Sequence, residues 1–155
     1  MTVPPALPRL PALSALLIAS YDYFVGRPLL PSGIPEADHA RWLYEEAPFC
    51  VLAHNTDAEP RFVYANTAAQ GCFEYTWKEF LALPSRLLVE IRFQAERQRL
   101  LDTVTRDGFV NGYRGLRFTK SGRRFWIEGG VVWQLVNPRG EVSGQAATFP
   151  CWRDT

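Results

Sequence analysis

The chain has 155 residues, 47% of them hydrophobic and 14% aromatic with five Trp, enough for one domain with a real core and too few for two. Lys and Arg number 17 against 16 Asp and Glu, a net charge of +1, so no global field directs the protein to nucleic acid, an anionic membrane or an acidic partner. Three cysteines, Cys50, Cys72 and Cys151, make no C-x-x-C pair, which signals neither a disulfide framework nor a metal site and fits a reducing, cytoplasmic setting.

Residues 1–9 are Pro-rich and expected to fray. Leu10, Leu13, Leu17, Tyr21 and Phe24 then share one stripe, which predicts an amphipathic helix over 11–26 that docks on the domain. Its apolar run is too short and its flank too rich in Pro for a signal peptide, and no stretch approaches a membrane span. Arg27-Pro28-Leu29-Leu30-Pro31 must be extended, and Pro35 opens a second helix over 35–46 with Ala40, Leu43 and Tyr44 or Ala47 inward. The apolar run 49–53 reads as a buried strand, 54–59 as a polar loop and 61–65 as the return strand. Asn66 is placed to cap a helix, Thr76 and Glu79 have the spacing of a capping box, and Leu83-Pro84 stops the short helix that box opens. A longer helix over 93–106 turns Leu100, Leu101 and Val104 inward and stops at Asp107-Gly108. From Tyr113 to Phe149 three strands follow, joined by a Ser121-Gly122 turn and an Asn137-Pro138-Arg139-Gly140 turn of type I chemistry.

The order is helix, helix, two strands, three helices, three strands. An α+β architecture follows: a PAS-like five-stranded antiparallel sheet with crossover helices on one face and an N-terminal helical extension. Particular motifs narrow the resemblance. Ala47-Pro48-Phe49, Tyr64-Ala65-Asn66, Leu83-Pro84-Ser85-Arg86, Gly122-Arg123-Arg124-Phe125, Val132-Trp133 and Gly144-Gln145-Ala146-Ala147 resemble those of the MEKHLA domain, a PAS-related module. With Arg27-Pro28-Leu29-Leu30-Pro31, the likeness is to its stand-alone bacterial members and runs over about 27–149. It implies N-terminal helices over 1–46 packed on a PAS-like domain over 47–152, the whole one structural unit. It also implies a sensory or protein-interaction role; in plants the domain ends class III homeodomain-leucine zipper factors, but no homeodomain, zipper or basic region is present here. Ile91-Arg92-Phe93 departs from the polar, Pro-containing stretch of relatives, and Gly129-Gly130 interrupts the fourth strand, where a bulge or a close approach of ligand to backbone is expected.

A PAS-like fold holds ligands between the concave sheet face and the crossover helices. The candidate lining is therefore the inward alternate set of each strand: Phe62 with Tyr64, and Phe125, Ile127, Val131 and Trp133 if the glycines leave the register unshifted. Leu101 and Gln145 complete it, Gln145 contacting a ligand or bonding across the sheet. The competing reading is that the rings simply fill a core. A small apolar or aromatic ligand, a homodimer formed through the N-terminal helix, or a regulatory protein partner would suit such a module.

The cofactor stays unknown. Heme is disfavoured because helix 93–106 has no His, and photochemical flavin because the sequence lacks an Asn-Cys-Arg motif. His39 and His54 are expected to be solvated or to cap, and Cys72 to be a small buried hydrophobe. No G-x-S-x-G, H-E-x-x-H, Walker or G-x-G-x-x-G motif is present, so no catalytic or metal residue is assigned and a small enzyme is the least favoured reading. Gly112-Tyr113-Arg114-Gly115 has the spacing of an RNA-binding loop but lies in a strand, and Asp102 and Asp107 look like solvated helix residues. The cations Arg114, Arg117, Lys120, Arg123 and Arg124 around the Ser121-Gly122 turn offer the alternative of a nucleic-acid or transcription-associated module using hairpin 114–124, against a charge-protected edge hairpin.

Overall fold

A computed structural model describes residues 11–150. The Pro-rich start, Leu10 of the stripe, Cys151 and position 152 of the expected domain lie outside them.

Helix α1, Pro11–Val25, forms as its stripe dictates, with Leu17 and Tyr21 buried and Leu13 and Phe24 half-buried. The expected second helix is helical throughout but not one α-helix: a 3-10 turn, Glu36–Asp38, leads into one turn of α2, His39–Arg41, and a π-helical turn, Trp42–Glu46, in which the Ala47 amide donates to the Trp42 carbonyl at 2.9 Å. His39 bonds the Ile34 carbonyl at 2.9 Å, securing that entry.

Strands β1, Phe49–His54, and β2, Phe62–Ala65, form the first hairpin. Helix α3, Thr67–Phe73, starts at Asn66, whose side chain accepts from the Ala69 amide. Helix α4, Trp77–Leu81, carries both halves of the Thr76–Glu79 capping box. Two 3-10 turns, Ser85–Leu88 and Ile91–Phe93, lead into α5, Gln94–Asp107, which Gly108 ends. Strands β3, Phe109–Phe118, β4, Arg124–Val136, and β5, Val142–Pro150, make the closing meander. Strand β3 starts four residues before the expected Tyr113, because Phe109 and Val110 already pair with Trp133 and Val132. The sheet order is β2-β1-β5-β4-β3, every pairing antiparallel.

Two bulges decide which side chains share a face. On β2, Phe62 pairs with His54 and Tyr64 with Ala53, so Val63 is the extra residue and Phe62 and Tyr64 point to opposite faces. On β4, Ile127 pairs with Gly115 but Gly130 with Tyr113, one residue too many on β4, with Gly129 taking the strain at φ 64°. Phe125 and Ile127 consequently face the crossover helices, while Val131 and Trp133 face α1.

The sheet is thus buried on both sides. On one side Leu17 and Tyr21 of α1, with Leu30 and Leu43 of the segment after it, pack on Tyr64 and Trp133 of the sheet, Tyr21 edge-on to Trp133 at 4.9 Å between centroids. Against α3, α4 and the 3-10 turns lie Cys50, Phe62, Phe73, Phe80, Phe125 and Phe149, an edge-to-face cluster centred on Phe73. Cys72 is buried in this second cluster, as a small hydrophobe would be.

Candidate functional site

Between the concave sheet face and α5 the packing is incomplete. A cavity of about 80 Å³ remains, walled by Leu52, Phe62, Leu88, Leu101, Ile127 and Ala147 among others, with polar groups gathered at one edge. Three strands deliver the polar edge. His54 ends β1 and sits directly opposite Gln145 of β5, which pairs in turn with Gln134 of β4. Gly144 lets β1 and β5 come this close, since a Cβ there would collide with the His54 carbonyl. Ser85 is supplied by the first 3-10 turn and Arg97 by α5.

Donor and acceptor chemistry orders the Arg97 end of this set. Arginine only donates, so Arg97 Nη2 gives a hydrogen to Ser85 Oγ at 2.5 Å. Ser85 Oγ also bonds His54 Nδ1 at 2.9 Å, its own hydrogen being available to that nitrogen when the neutral ring carries its proton on Nε2. His54 also hydrogen-bonds the Gln145 side chain. Gln145 Nε2 reaches Thr105 Oγ1 at 3.1 Å, the Leu101 carbonyl at 3.3 Å and Gln134 Oε1 at 3.2 Å, tying α5 to the sheet. Burial, and then the Arg97 charge, push the His54 pKa down to about 4, against the pull of the Gln145 bond. His54 is neither solvated nor a cap, contrary to expectation: β5 inserts between β1 and β4, and this covers the strand end that the sequence shows only as the start of a polar loop.

That imidazole leaves a mark on stability. Below the ordinary value of 6.5 the unfolded chain binds a proton that the native His54 refuses until about pH 4, so its contribution is lost as the pH falls through that interval and is flat above it. Urea unfolding at about pH 7 and about pH 4.5 is expected to show an acid loss for the wild type exceeding that of His54→Gln by about 2–3 kcal/mol. Equal acid losses in the two proteins would contradict the buried neutral imidazole.

Of the expected lining, Phe62, Leu101, Ile127, Val131 and Gln145 border the cavity. Phe125 lies in the same core cluster but does not border it. Tyr64 and Trp133 do not belong there: the bulges at Val63 and Gly129-Gly130 turn both onto the α1 face, where their rings pack. Sequence reasoning missed His54, Ser85 and Arg97. An open groove of about 430 Å³ adjoins the cavity and shares His54, Arg97, Leu101 and Gln145 with it.

Of the basic hairpin, Arg114 pairs with Glu128 and stacks on Trp126 at 3.8 Å, Lys120 pairs with Glu79, Arg123 with Glu74 and Arg124 with Glu90. The Ser121 amide donates to Glu74 and the Lys120 amide to the Phe73 carbonyl, so the turn is latched to α3.

A family model for the MEKHLA domain matches residues 11–154. The chain belongs to the MEKHLA family. MEKHLA is a PAS-related sensory domain, and similar solved structures agree with the fold. The crystal structure of the PAS domain of a protein from Colwellia psychrerythraea superposes with a TM-score of 0.63 at 13% identity, over 77% of this chain and 95% of that one. An RNA-binding light-oxygen-voltage receptor gives 0.65 at 22% identity over 83% of this chain; the match spans 36% of that receptor. A light-oxygen-voltage domain studied with a flavin analogue gives 0.55 at 17%, over 68% and 77%. No curated protein matches the chain. Among the described residues no helix is long and apolar enough to cross a membrane.

Proposed function

We propose that this MEKHLA protein is a non-catalytic sensory module that binds a small organic ligand in the cavity between the sheet and α5. The observation that carries the reading is a space left beside an otherwise closed core, with apolar walls and one polar edge, the usual composition of a ligand site. Binding there would act on α5 directly, because Gln145 and Arg97 connect that helix to the sheet and to the Ser85 turn.

Size and chemistry favour a small ligand over heme or flavin. The inner volume of about 80 Å³ is below the roughly 150 Å³ that accommodates one benzene. Among the described residues neither Cys50 nor Cys72 borders it, so neither of these thiols is placed for flavin photochemistry. A catalytic role for the Ser85–His54 pair is disfavoured on its own chemistry, since an imidazole with a pKa of about 4 is a poor acceptor for the serine proton near neutrality. Pairing of four of the hairpin cations with carboxylates, and their latch to α3, weigh against a nucleic-acid role for that hairpin. A protein partner or second copy would find its apolar contact at Ala12, Ala15, Ala19 and Tyr23 on the outer side of α1, the inner stripe being spent on the sheet.

Methyl-resolved NMR with small aliphatic fragments of up to about four carbons tests the reading. The methyls of Leu52, Leu101 and Ile127 are expected to shift on titration while those of Leu17 and Leu43, on the other face, stay still. Uniform shifts on both faces, or none at saturating fragment, would contradict it.

A further inference from the structure

Arg97 is a buried cation without a counterion. Its side chain is 9% exposed, one of its five N–H donors goes to Ser85, and among the described residues no carboxylate lies within ion-pair distance. The acids of α5 that border the surrounding grooves, Glu96 and Asp102, are exposed, and Asp102 accepts from Gln98 instead. A second guanidinium compounds the imbalance. Arg117 of β3 borders the same cavity, donates to the Leu116 carbonyl at 3.0 Å, stands 5.5 Å from the centre of the Tyr113 ring and has no carboxylate partner among the described residues either. No carboxylate lies at the polar edge: burial and the neighbouring Arg97 keep His54 neutral near pH 7, and Ser85, Gln134 and Gln145 are uncharged.

Proteins rarely keep a buried charge unpaired, because the desolvation cost is several kcal/mol unless an opposite charge or a set of hydrogen bonds offsets it. Here the missing partner has a defined place. Arg97 borders both the inner cavity and the outer groove, so an anion can reach its remaining N–H groups from solvent while an apolar body lies inside.

We infer that the cavity takes a small monocarboxylic acid, its carboxylate on Arg97 with Arg117 nearby and its apolar body against Leu52, Phe62, Leu101 and Ile127. A planar carboxylate matches the fork of a guanidinium in a bidentate pair. An inorganic phosphate would set strongly hydrated oxygens against apolar walls that offer no donor. The inference rests on the cavity being a ligand site, and the experiment separates the two.

Isothermal titration of the full chain with propionate, butyrate and isovalerate, each against its neutral amide, and with inorganic phosphate, provides the test. At least one acid is expected to bind tenfold or more tighter than its amide, with a shift of the Arg97 Nε resonance. Arg97→Gln should abolish that preference and Arg97→Lys retain part of it. The Gln variant can still donate to Ser85 and removes a buried charge, so it is expected to melt at or above the wild-type temperature in the absence of ligand. Equal binding of acids and amides would overturn the carboxylate inference and leave the cavity reading standing. Phosphate binding as tightly as the best acid would overturn the apolar-body half. Failure of every probe at millimolar concentration would contradict both.

Discussion

Trp133→Ala is expected to lower the unfolding free energy by about 3–5 kcal/mol, the usual cost of deleting a buried large aromatic. Trp133 is completely buried, edge-on to Tyr21, in the cluster that joins α1 to the sheet, so its loss opens a cavity where the N-terminal extension packs on the sheet. Among the described residues its indole N–H has no acceptor. Trp133→Phe, which removes that unpaired donor along with part of the ring, should therefore cost less than half as much. Urea unfolding of both variants checks this, and a near-wild-type midpoint for Trp133→Ala would mean that α1 does not pack on this face. Because Trp133 faces away from the cavity, fragment binding by the folded Phe variant should be unchanged.

Asn66→Ala is expected to cost a comparable amount, roughly 3–5 kcal/mol, by another route. Asn66 is fully buried and uses both ends of its amide: Oδ1 accepts from the Val51 and Ala69 amides, Nδ2 donates to the Leu43 and Phe49 carbonyls. One side chain thus caps α3, holds β1 and fixes the π-helical turn before it. Truncation leaves several buried backbone groups without a partner, each costing about 1–3 kcal/mol though not additively. Asn66→Asp should do no better than Ala, since it keeps the acceptor for two amides but sets a second carboxylate oxygen against two carbonyls. Rescue by Asp to within 1 kcal/mol of wild type, on the same order as a cap alone, would reduce Asn66 to an N-cap.

The sequence made local chemistry readable and left long-range geometry hidden. Asn66, the Thr76–Glu79 box and the Asn137–Gly140 turn announce themselves because each acts on backbone a few residues away, and all three form. The element order and the family motifs carried the PAS-like five-stranded sheet, but the order of its strands in space was not read from the sequence. Register was the weak point: alternation along a strand assigns faces only while the pairing is regular, so the Val63 bulge sent Tyr64 to the wrong side and the Gly129 bulge did the same for Trp133. Gly129-Gly130 carried a visible warning; Phe62-Val63-Tyr64 carried none. The polar edge was partly legible. Arg97 shares the stripe of Leu100, Leu101 and Val104, and a charge at that position of a core-facing helix is a signal that inward apolar residues alone do not convey. Ser85 and Gln145 both lie in motifs that resemble the family, but their meeting at His54 depends on β5 passing between β1 and β4.

Native mass spectrometry of the full chain after incubation with a total metabolite extract tests the occupied cavity most directly, with Ala147→Phe, which places a ring in the space from the middle of β5, as its partner measurement. The wild type is predicted to carry one added small-molecule mass, and the folded variant to emerge bare. A bare wild type, or the same added mass on both proteins, would contradict a ligand held between the sheet and α5.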